Sequence, residues 1–277
     1  MALKVHNNIA ALRQINQLNN NQRQVGASIE RVSSGLRINH AADDAAGTGL
    51  SSEMNSKNVS LRRAMKNVND GVSLVHTAEG ALSEINDILV RMRELALQSS
   101  NGTYSNQDRT NLNAEFTHLR VDIGRIASNT HFNDIKLLDN ALTTTLSIQV
   151  GIYDGQGNQV QVNLSEISAS QGALSISALS VDTITKAQDS LVSIDSALDK
   201  VINARSKLGA IQQTLEVAIG EATTYSENLT ASVSQIVDLD YAAESANLTR
   251  FQIMQEASQA TFTQAKNLPQ SIVNLLG

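Results

Sequence analysis

The chain has 277 residues, 41% of them hydrophobic and 3% aromatic, with no cysteine, no tryptophan and one proline. Its formal net charge is −6 at pH 7, and Lys and Arg are scattered, which excludes the basic stripe of a nucleic-acid-binding protein. No run of about 18 apolar residues occurs, so we expect no membrane-spanning helix. The lack of cysteine excludes a disulfide framework, and the scarcity of proline permits long helices.

The first predicted helix runs from about residue 6 to residue 32. Its apolar residues are spaced alternately three and four apart, which is typical of a coiled-coil seam. The segment carries more apolar surface than one intramolecular partner would cover, so we expect it to be buried only when many copies pack together. The predicted self-assembly residues of this helix are Ile9, Leu12, Ile15, Leu18, Val25 and Ile29.

A loop follows the first helix and extends to residue 47. We expect Gly35 to stop the helix in a left-handed conformation. Either Asp43 or Asp44 is expected to cap the next helix, because aspartate is a preferred N-cap residue. The candidate residues of this loop motif are Gly35, Arg37, Asn39, Asp43 and Asp44.

The second helix is predicted over residues 50–98, a length of roughly 70 Å at 1.5 Å per residue. Asn101-Gly102 ends it, and Ser105 or Asn106 is expected to cap a third helix. The seam of this third helix consists of Leu112, Phe116, Leu119, Ile123 and Ile126.

In the middle of the chain, apolar and polar residues alternate with a period of two over residues 146–152 and 159–164. This alternation predicts a β-hairpin near 146–164. The Ser-rich stretch 165–180 is predicted to be loop with short strands. A fourth helix follows, with a regular seam from Leu191 to Ile236. Asp240 is expected to cap the last helix, whose predicted self-assembly residues are Phe251, Phe262, Leu268, Ile272 and Leu275.

Motifs for catalysis are absent from the sequence. It contains no phosphate-binding loop, zinc-protease motif or serine-hydrolase motif, and the five histidines share no ligand-like spacing. Capping preference alone favours a helix N-terminus over a metal site at Asp43-Asp44. We therefore expect no catalytic residue, no metal, no cofactor and no enzymatic activity.

Three separate motifs carry a resemblance to a known family. Residues 33–39 with 42–47, residues 93–99, and residues 251–271 resemble, in this order, signatures of bacterial flagellin. The resemblance covers nearly the whole chain. The chain differs from large flagellins in having almost no central insertion, so variable outer domains are not expected.

The resemblance implies a mainly α fold: an elongated antiparallel helical bundle or coiled coil with a small β-hairpin region. Residues 1–42 and 240–277 would form an inner core domain whose terminal helices build the coiled coil of a filament core. Residues 43–239 would form an elongated helical domain. It also implies a structural subunit that self-assembles into the extracellular flagellar filament for swimming motility.

The implied partners are other copies of the chain, a flagellar export chaperone at the C-terminal region, and the cap and hook-associated junction proteins. The implied route is secretion through the flagellar type III export apparatus. The resemblance also implies a candidate receptor-binding surface, because a Toll-like innate receptor of animals binds flagellins at a helix surface. The matching residues in this sequence are Arg91, Leu95 and Glu115. Two other interpretations stay open: a hook–filament junction protein, and an exported helical binding protein or effector.

Overall fold

A computed structural model describes residues 8–139 and 145–276, with only the backbone of residues 268–276. Within these residues the α-helices are α1 (Ile9–Ser34), α2 (Ala45–Ser100), α3 (Asn106–Asn129), α4 (Ile184–Val237) and α5 (Tyr241–Leu276). The strands are β1 (His131–Phe132), β2 (Ile135–Lys136), β3 (Thr145–Gln149) and β4 (Gln159–Asn163). The predicted mainly α fold with a small antiparallel β region is confirmed.

The chain divides into two compact units. The terminal unit comprises residues 1–58 and 227–277, and the central unit comprises residues 59–226. The division into domains at residues 42/43 and 239/240, suggested by the sequence, stays a prediction.

In the terminal unit, α1 and α5 pack side by side in antiparallel directions. The Asn8 side chain, at the start of α1, donates a hydrogen bond to the Ala265 carbonyl near the end of α5. At the other end of the pair, Ser28 Oγ donates to Glu244 Oε1 in the first turn of α5. The two amphipathic terminal helices therefore bury one face against each other.

The core of the central unit lies between α2, α3 and α4. On α2, apolar residues spaced three and four apart are fully buried in this unit: Val75, Ala78, Leu82, Ile85, Leu89, Met92 and Ala96. From α3, Phe116 and Ile123 join the same cluster, and from α4, Ile194, Val201, Leu208 and Leu215 join it. The three-and-four spacing of apolar residues thus marked the correct faces of these helices.

The turn between α2 and α3 is held by a buried arginine for which the sequence pattern predicted no role. Arg109 donates to the carbonyl oxygens of Ser99 (2.9 Å), Asn101 (2.8 Å) and Tyr104 (2.7 Å). A cation near the C-terminus of a helix is favourable because the last carbonyls there lack intrahelical donors. Ser105 caps α3 as predicted and forms a capping box with Asp108.

The predicted hairpin is confirmed as β3 paired with β4, in a register that places Thr145 opposite Asn163. It packs against α2 at Gly71, where an added Cβ would lie 2.6 Å from Ile148 Cδ1. A second, unpredicted hairpin joins β1 and β2 through Asn133 and Asp134, which both have positive φ. Such a turn favours Asn and Asp at its centre, so the Asn-Asp dipeptide was the signal to find it.

Residues 165–180 form the predicted loop, but the expected short strands are absent from these described residues: the segment begins in a 3₁₀ turn (Leu164–Glu166) and continues as turns, bends and irregular backbone. Ile167, Leu174 and Ile176 are buried in the central core. Gln171 Nε2 donates to the Arg120 carbonyl of α3 at 2.6 Å. Core packing and side-chain hydrogen bonds therefore order this segment. Such contacts do not recur at a regular spacing in the sequence, so hydrophobic periodicity does not predict them.

Candidate self-assembly surfaces

The seam between α1 and α5 follows the three-and-four spacing on both helices. On α1 the less exposed positions are Gln14, Leu18, Asn21, Val25, Ser28 and Val32. On α5 they are Glu244, Leu248, Phe251, Gln255, Ser258, Phe262 and Ala265. Of the predicted self-assembly residues, Leu18, Val25, Phe251 and Phe262 therefore lie half-buried in this intramolecular seam.

The other predicted residues of α1 lie outside that seam. Ile9, Leu12, Ile15 and Ile29 are 51%, 57%, 37% and 50% exposed. The three-and-four spacing of apolar residues would place Ile15 and Ile29 in the contact with α5. The structure instead places the polar residues Asn21 and Ser28 there, so the face of α1 that contacts α5 is shifted by one residue. On α5, Ile253 and Met254 are also exposed. The side chains of Leu268, Ile272 and Leu275 lie outside the described residues.

Polar groups connect the two helices inside the seam. Asn21 Nδ2 donates to Ser258 Oγ at 2.8 Å and to the Met254 carbonyl at 3.1 Å. Ser28 Oγ donates to Glu244 Oε1 at 2.6 Å. A buried polar residue in a coiled-coil seam specifies register at a cost in stability. The terminal pair thus has a seam that mixes apolar with hydrogen-bonded polar residues, and it leaves other apolar side chains of α1 exposed.

The loop after α1 is fixed by backbone contacts to the end of α4. Gly35 adopts the predicted left-handed conformation, with φ 71°, and its carbonyl accepts from the Leu239 amide at 3.0 Å. The Arg37 amide donates to the Val237 carbonyl at 2.7 Å, and its Nε donates to the Ile236 carbonyl at 3.1 Å. The α1 end and the α4–α5 junction therefore form one connected element of the terminal unit.

Asp44, rather than Asp43, caps α2. Asp44 Oδ1 accepts from the Gly47 amide at 2.9 Å. Asp43 Oδ2 instead accepts from the amides of His40 (3.0 Å) and Asn39 (3.2 Å), and these hydrogen bonds lower the pKa of its carboxyl group. Asp43 therefore closes the preceding turn, which corrects its candidate role as a helix cap.

Two other residues of this loop show how tightly it packs. The Asn39 side-chain nitrogen is buried and has no hydrogen-bond partner among the described residues. A Cβ at Gly47 would lie 2.6 Å from Asp44 Oδ2 and 2.7 Å from Ile38 Cδ1. A residue larger than glycine at position 47 would therefore push the capping carboxylate away.

Arg91 and Glu115 meet on the surface of the central unit. Arg91 Nη2 lies 2.8 Å from Glu115 Oε1, and Arg91 Nη1 lies 3.0 Å from Glu94 Oε2. The hydrogen bond that Arg91 donates to Glu115 is the largest cause that raises the pKa of Arg91. Leu95 is 1% exposed, within the core. The structure thus brings Arg91 and Glu115 together on a surface and places Leu95 beneath it.

Metal sites and membrane-spanning helices are both absent from the part of the chain that the structure describes. Residues 8–139 and 145–276 contain no group of three or more His, Cys, Asp or Glu side chains that could hold a metal ion. Within the same ranges, no helix is long and apolar enough to cross a membrane.

Comparison with known proteins identifies the family. Residues 5–143 match the family described as the bacterial flagellin N-terminal helical region, and residues 191–276 match the bacterial flagellin C-terminal helical region. A flagellin of Halalkalibacterium halodurans is 41% identical over 98% of this chain and 99% of its own length.

Two solved structures share the fold. The crystal structure of Bacillus cereus flagellin superposes with a TM-score of 0.51 at 27% identity, over 61% of this chain and 94% of that one. A putative flagellar hook-associated protein from Vibrio parahaemolyticus has a TM-score of 0.58 at 14% identity, over 71% of this chain and 100% of that one. The second likeness shows the fold alone, whereas the family matches and the identity to curated flagellin are specific. The chain belongs to the bacterial flagellin family.

Proposed function

We propose that this chain is the structural subunit of a bacterial flagellar filament and that it serves swimming motility. The observation that carries the proposal is the set of exposed apolar side chains along α1, of which Ile9, Leu12 and Ile29 are each at least half exposed. Exposed apolar surface of this kind marks a site of protein association. Other copies of the chain cover it in the filament, which is extracellular.

A hook–filament junction protein is the runner-up within the same structural class. The fold does not separate the two, because the hook-associated protein from Vibrio parahaemolyticus shares it. The sequence favours the filament subunit, since the Halalkalibacterium halodurans flagellin matches over 98% of this chain. An exported helical effector, the alternative of a different class, would not need an uncovered apolar face on α1.

The remaining partners follow from the family and from α5. The subunit is secreted through the flagellar export apparatus, and an export chaperone binds its C-terminal region beforehand. Ile253 is 61% exposed on α5, and such a helix needs an escort because apolar surface promotes aggregation. Cap and hook-associated junction proteins contact the filament at its ends.

An innate receptor of the Toll-like class would contact the chain at Arg91 and Glu115 in an animal host. Both side chains lie at the surface, about half exposed, and form an ion pair there. Leu95 would support this surface through packing from within the core. Signalling by the monomeric chain, compared with Arg91→Ala and Glu115→Ala, tests this part of the proposal.

Polymerisation of the purified chain tests the main proposal. We expect sedimentable fibres of uniform width in electron micrographs, and we expect Leu12→Asn with Ile29→Asn to abolish them without loss of helicity. Val121→Asn is the matched control, because Val121 is comparably exposed (55%) but lies on α3 of the central unit. A stable monomer at high concentration, or unchanged fibres from the double variant, would contradict the proposal.

A further inference from the structure

A basic patch without intramolecular partners lies on α2 in the central unit. Arg62, Arg63 and Lys66 are exposed, and none makes a hydrogen bond or ion pair in the described residues. Other cations of this unit are engaged: Arg93 pairs with Asp195 at 2.6 Å, for example. Three unpaired cations within five residues stand out in a chain of net charge −6.

A complementary acidic surface lies on the outer face of α4. Glu216 and Glu221 are exposed and face no cation within 4.0 Å, although Gln212 donates to Glu216 at 3.0 Å. The cations along α4 are engaged elsewhere, as when Lys207 pairs with Glu166 at 2.6 Å. The outer face of α4, its solvent-exposed side, therefore carries on its two flanks carboxylates that pair with no cation in the described residues.

The two surfaces lie at the same level of the central unit. Thr223 Oγ1 of α4 is 3.7 Å from Met65 Sδ of α2. One turn or two further on, a Cβ at Gly71 of α2 would lie 3.4 Å from Leu215 Cδ1 of α4. Because α2 and α4 are in contact across this slice, the basic patch and the acidic face are at matching heights on two neighbouring helices.

Both surfaces also carry exposed apolar side chains. Arg63 lines a shallow groove with Val59 and Tyr153, which are 69% and 55% exposed. On α4, Val217 and Tyr225 are exposed beside the two glutamates. An interface typically combines an aromatic or apolar anchor with Arg at its centre and charges at its rim. Each surface therefore has the composition of one half of an interface.

We propose that the basic patch of one copy binds the outer face of α4 of a second copy, with Arg62 and Lys66 paired to Glu216 and Glu221. The proposal rests on the filament function and names a contact within it. Because the two surfaces differ, the contact is head-to-tail, and each copy offers both halves to different neighbours. Such a contact can propagate through an assembly, whereas a self-complementary contact would stop at a dimer.

The contact would gain its effect from two sources: the ion pairs recur at every subunit, and like charges repel in the wrong arrangements. A single exposed ion pair shifts an equilibrium by a few-fold at most, while like charges placed opposite each other disfavour the wrong arrangement. Reversing the charge on one side therefore has a larger effect than neutralising it. Exposed ion pairs are also screened over about 8 Å at physiological ionic strength, so the contact should weaken as salt is added.

A charge-swap series tests the contact by sedimentation of polymer against subunit concentration. We expect the variant Arg62→Glu with Lys66→Glu, and separately Glu216→Lys with Glu221→Lys, to raise the critical concentration at least about tenfold at low salt. The combination of all four substitutions should restore it to within about threefold of the unsubstituted chain. The combined variant keeps the net charge of −6, so it also controls for overall charge.

Each outcome separates this contact from the broader function. If the unsubstituted chain forms no polymer, both the filament proposal and this contact fail. If it polymerises and the Arg62→Glu, Lys66→Glu variant polymerises equally well, this contact fails while the filament proposal stands. Loss of polymer in both double variants without recovery in the combination also overturns the pairing. Helicity measured by circular dichroism excludes misfolding in each variant.

Discussion

The substitution Asn21→Ala is the most direct test of the polar seam between α1 and α5. Asn21 is buried and donates two hydrogen bonds to α5, one to Ser258 Oγ and one to the Met254 carbonyl. Alanine keeps the helix but removes both donors. The Met254 carbonyl and Ser258 Oγ then lose the hydrogen bonds that they accept from Asn21.

The expected cost follows from the two bonds. Each contributes about 0.5–1.5 kcal/mol, so their loss weakens the pairing of α1 with α5 by about 1–3 kcal/mol. Alanine also gains about half a kcal/mol of helix propensity over asparagine. Asn19→Ala is the matched control, because Asn19 is exposed on the same helix and the substitution brings the same gain in propensity. The difference between the two variants isolates the seam bonds.

Two measurements detect the loss. If the terminal helices pair as the subunit joins a filament, Asn21→Ala raises the critical concentration by a factor between about 5 and about 150 relative to Asn19→Ala. If they are already paired in the free subunit, the same free energy appears as faster amide exchange in α1 and α5. Should both readouts match those of Asn19→Ala, the seam bonds do not stabilise the pair and the reasoning is wrong.

Three further substitutions and titrations have expected outcomes. Gly35→Val should destabilise the terminal unit by about 1–2 kcal/mol in urea unfolding, because φ is 71° there, while Gly35→Asn should cost less. The Asp43 carboxyl pKa, followed by NMR, should lie below the unfolded value of about 3.9. Its stabilising contribution is then present above pH 3.9 and is lost as the pH falls through the folded pKa; a folded pKa at or above about 3.9 would contradict this. Arg109→Lys should cost about 3 kcal/mol in thermal unfolding, since lysine cannot reach the three carbonyls that Arg109 contacts; a loss under about 1 kcal/mol would refute that role.

The helices were predictable because their burial repeats along the chain. In α2, every apolar seam position from Val75 to Ala96 is buried, and the same spacing marked the buried positions of α4. The hairpin of β3 and β4 was predictable for the same reason, since alternation fixes its two faces. Arg109 was not predictable, because a buried arginine bonded to carbonyls leaves no periodic trace in the sequence.

The terminal seam shows where periodicity alone fails. Ile15, Leu18, Val25 and Ile29 fit one apolar line, yet only Leu18 and Val25 face α5. An apolar stripe that serves two partners has two seams, and hydrophobicity cannot say which one is intramolecular. The polar Asn21 decides the matter only when its partner Ser258 is known, and the two residues are 237 positions apart.

The α1–α5 seam mixes polar with apolar residues, and this mixture affects how firmly the two helices pair. A seam built only of leucines would pair them more strongly in an isolated subunit. Hydrogen bonds such as that from Ser28 to Glu244 fix which residues face each other across the seam. Ile9, Leu12 and Ile29 stay exposed in the single subunit, so burying their apolar area would add stabilising free energy only when another copy covers them. Register is thus specified inside the subunit, while exposed apolar side chains of α1 remain for contacts with other copies.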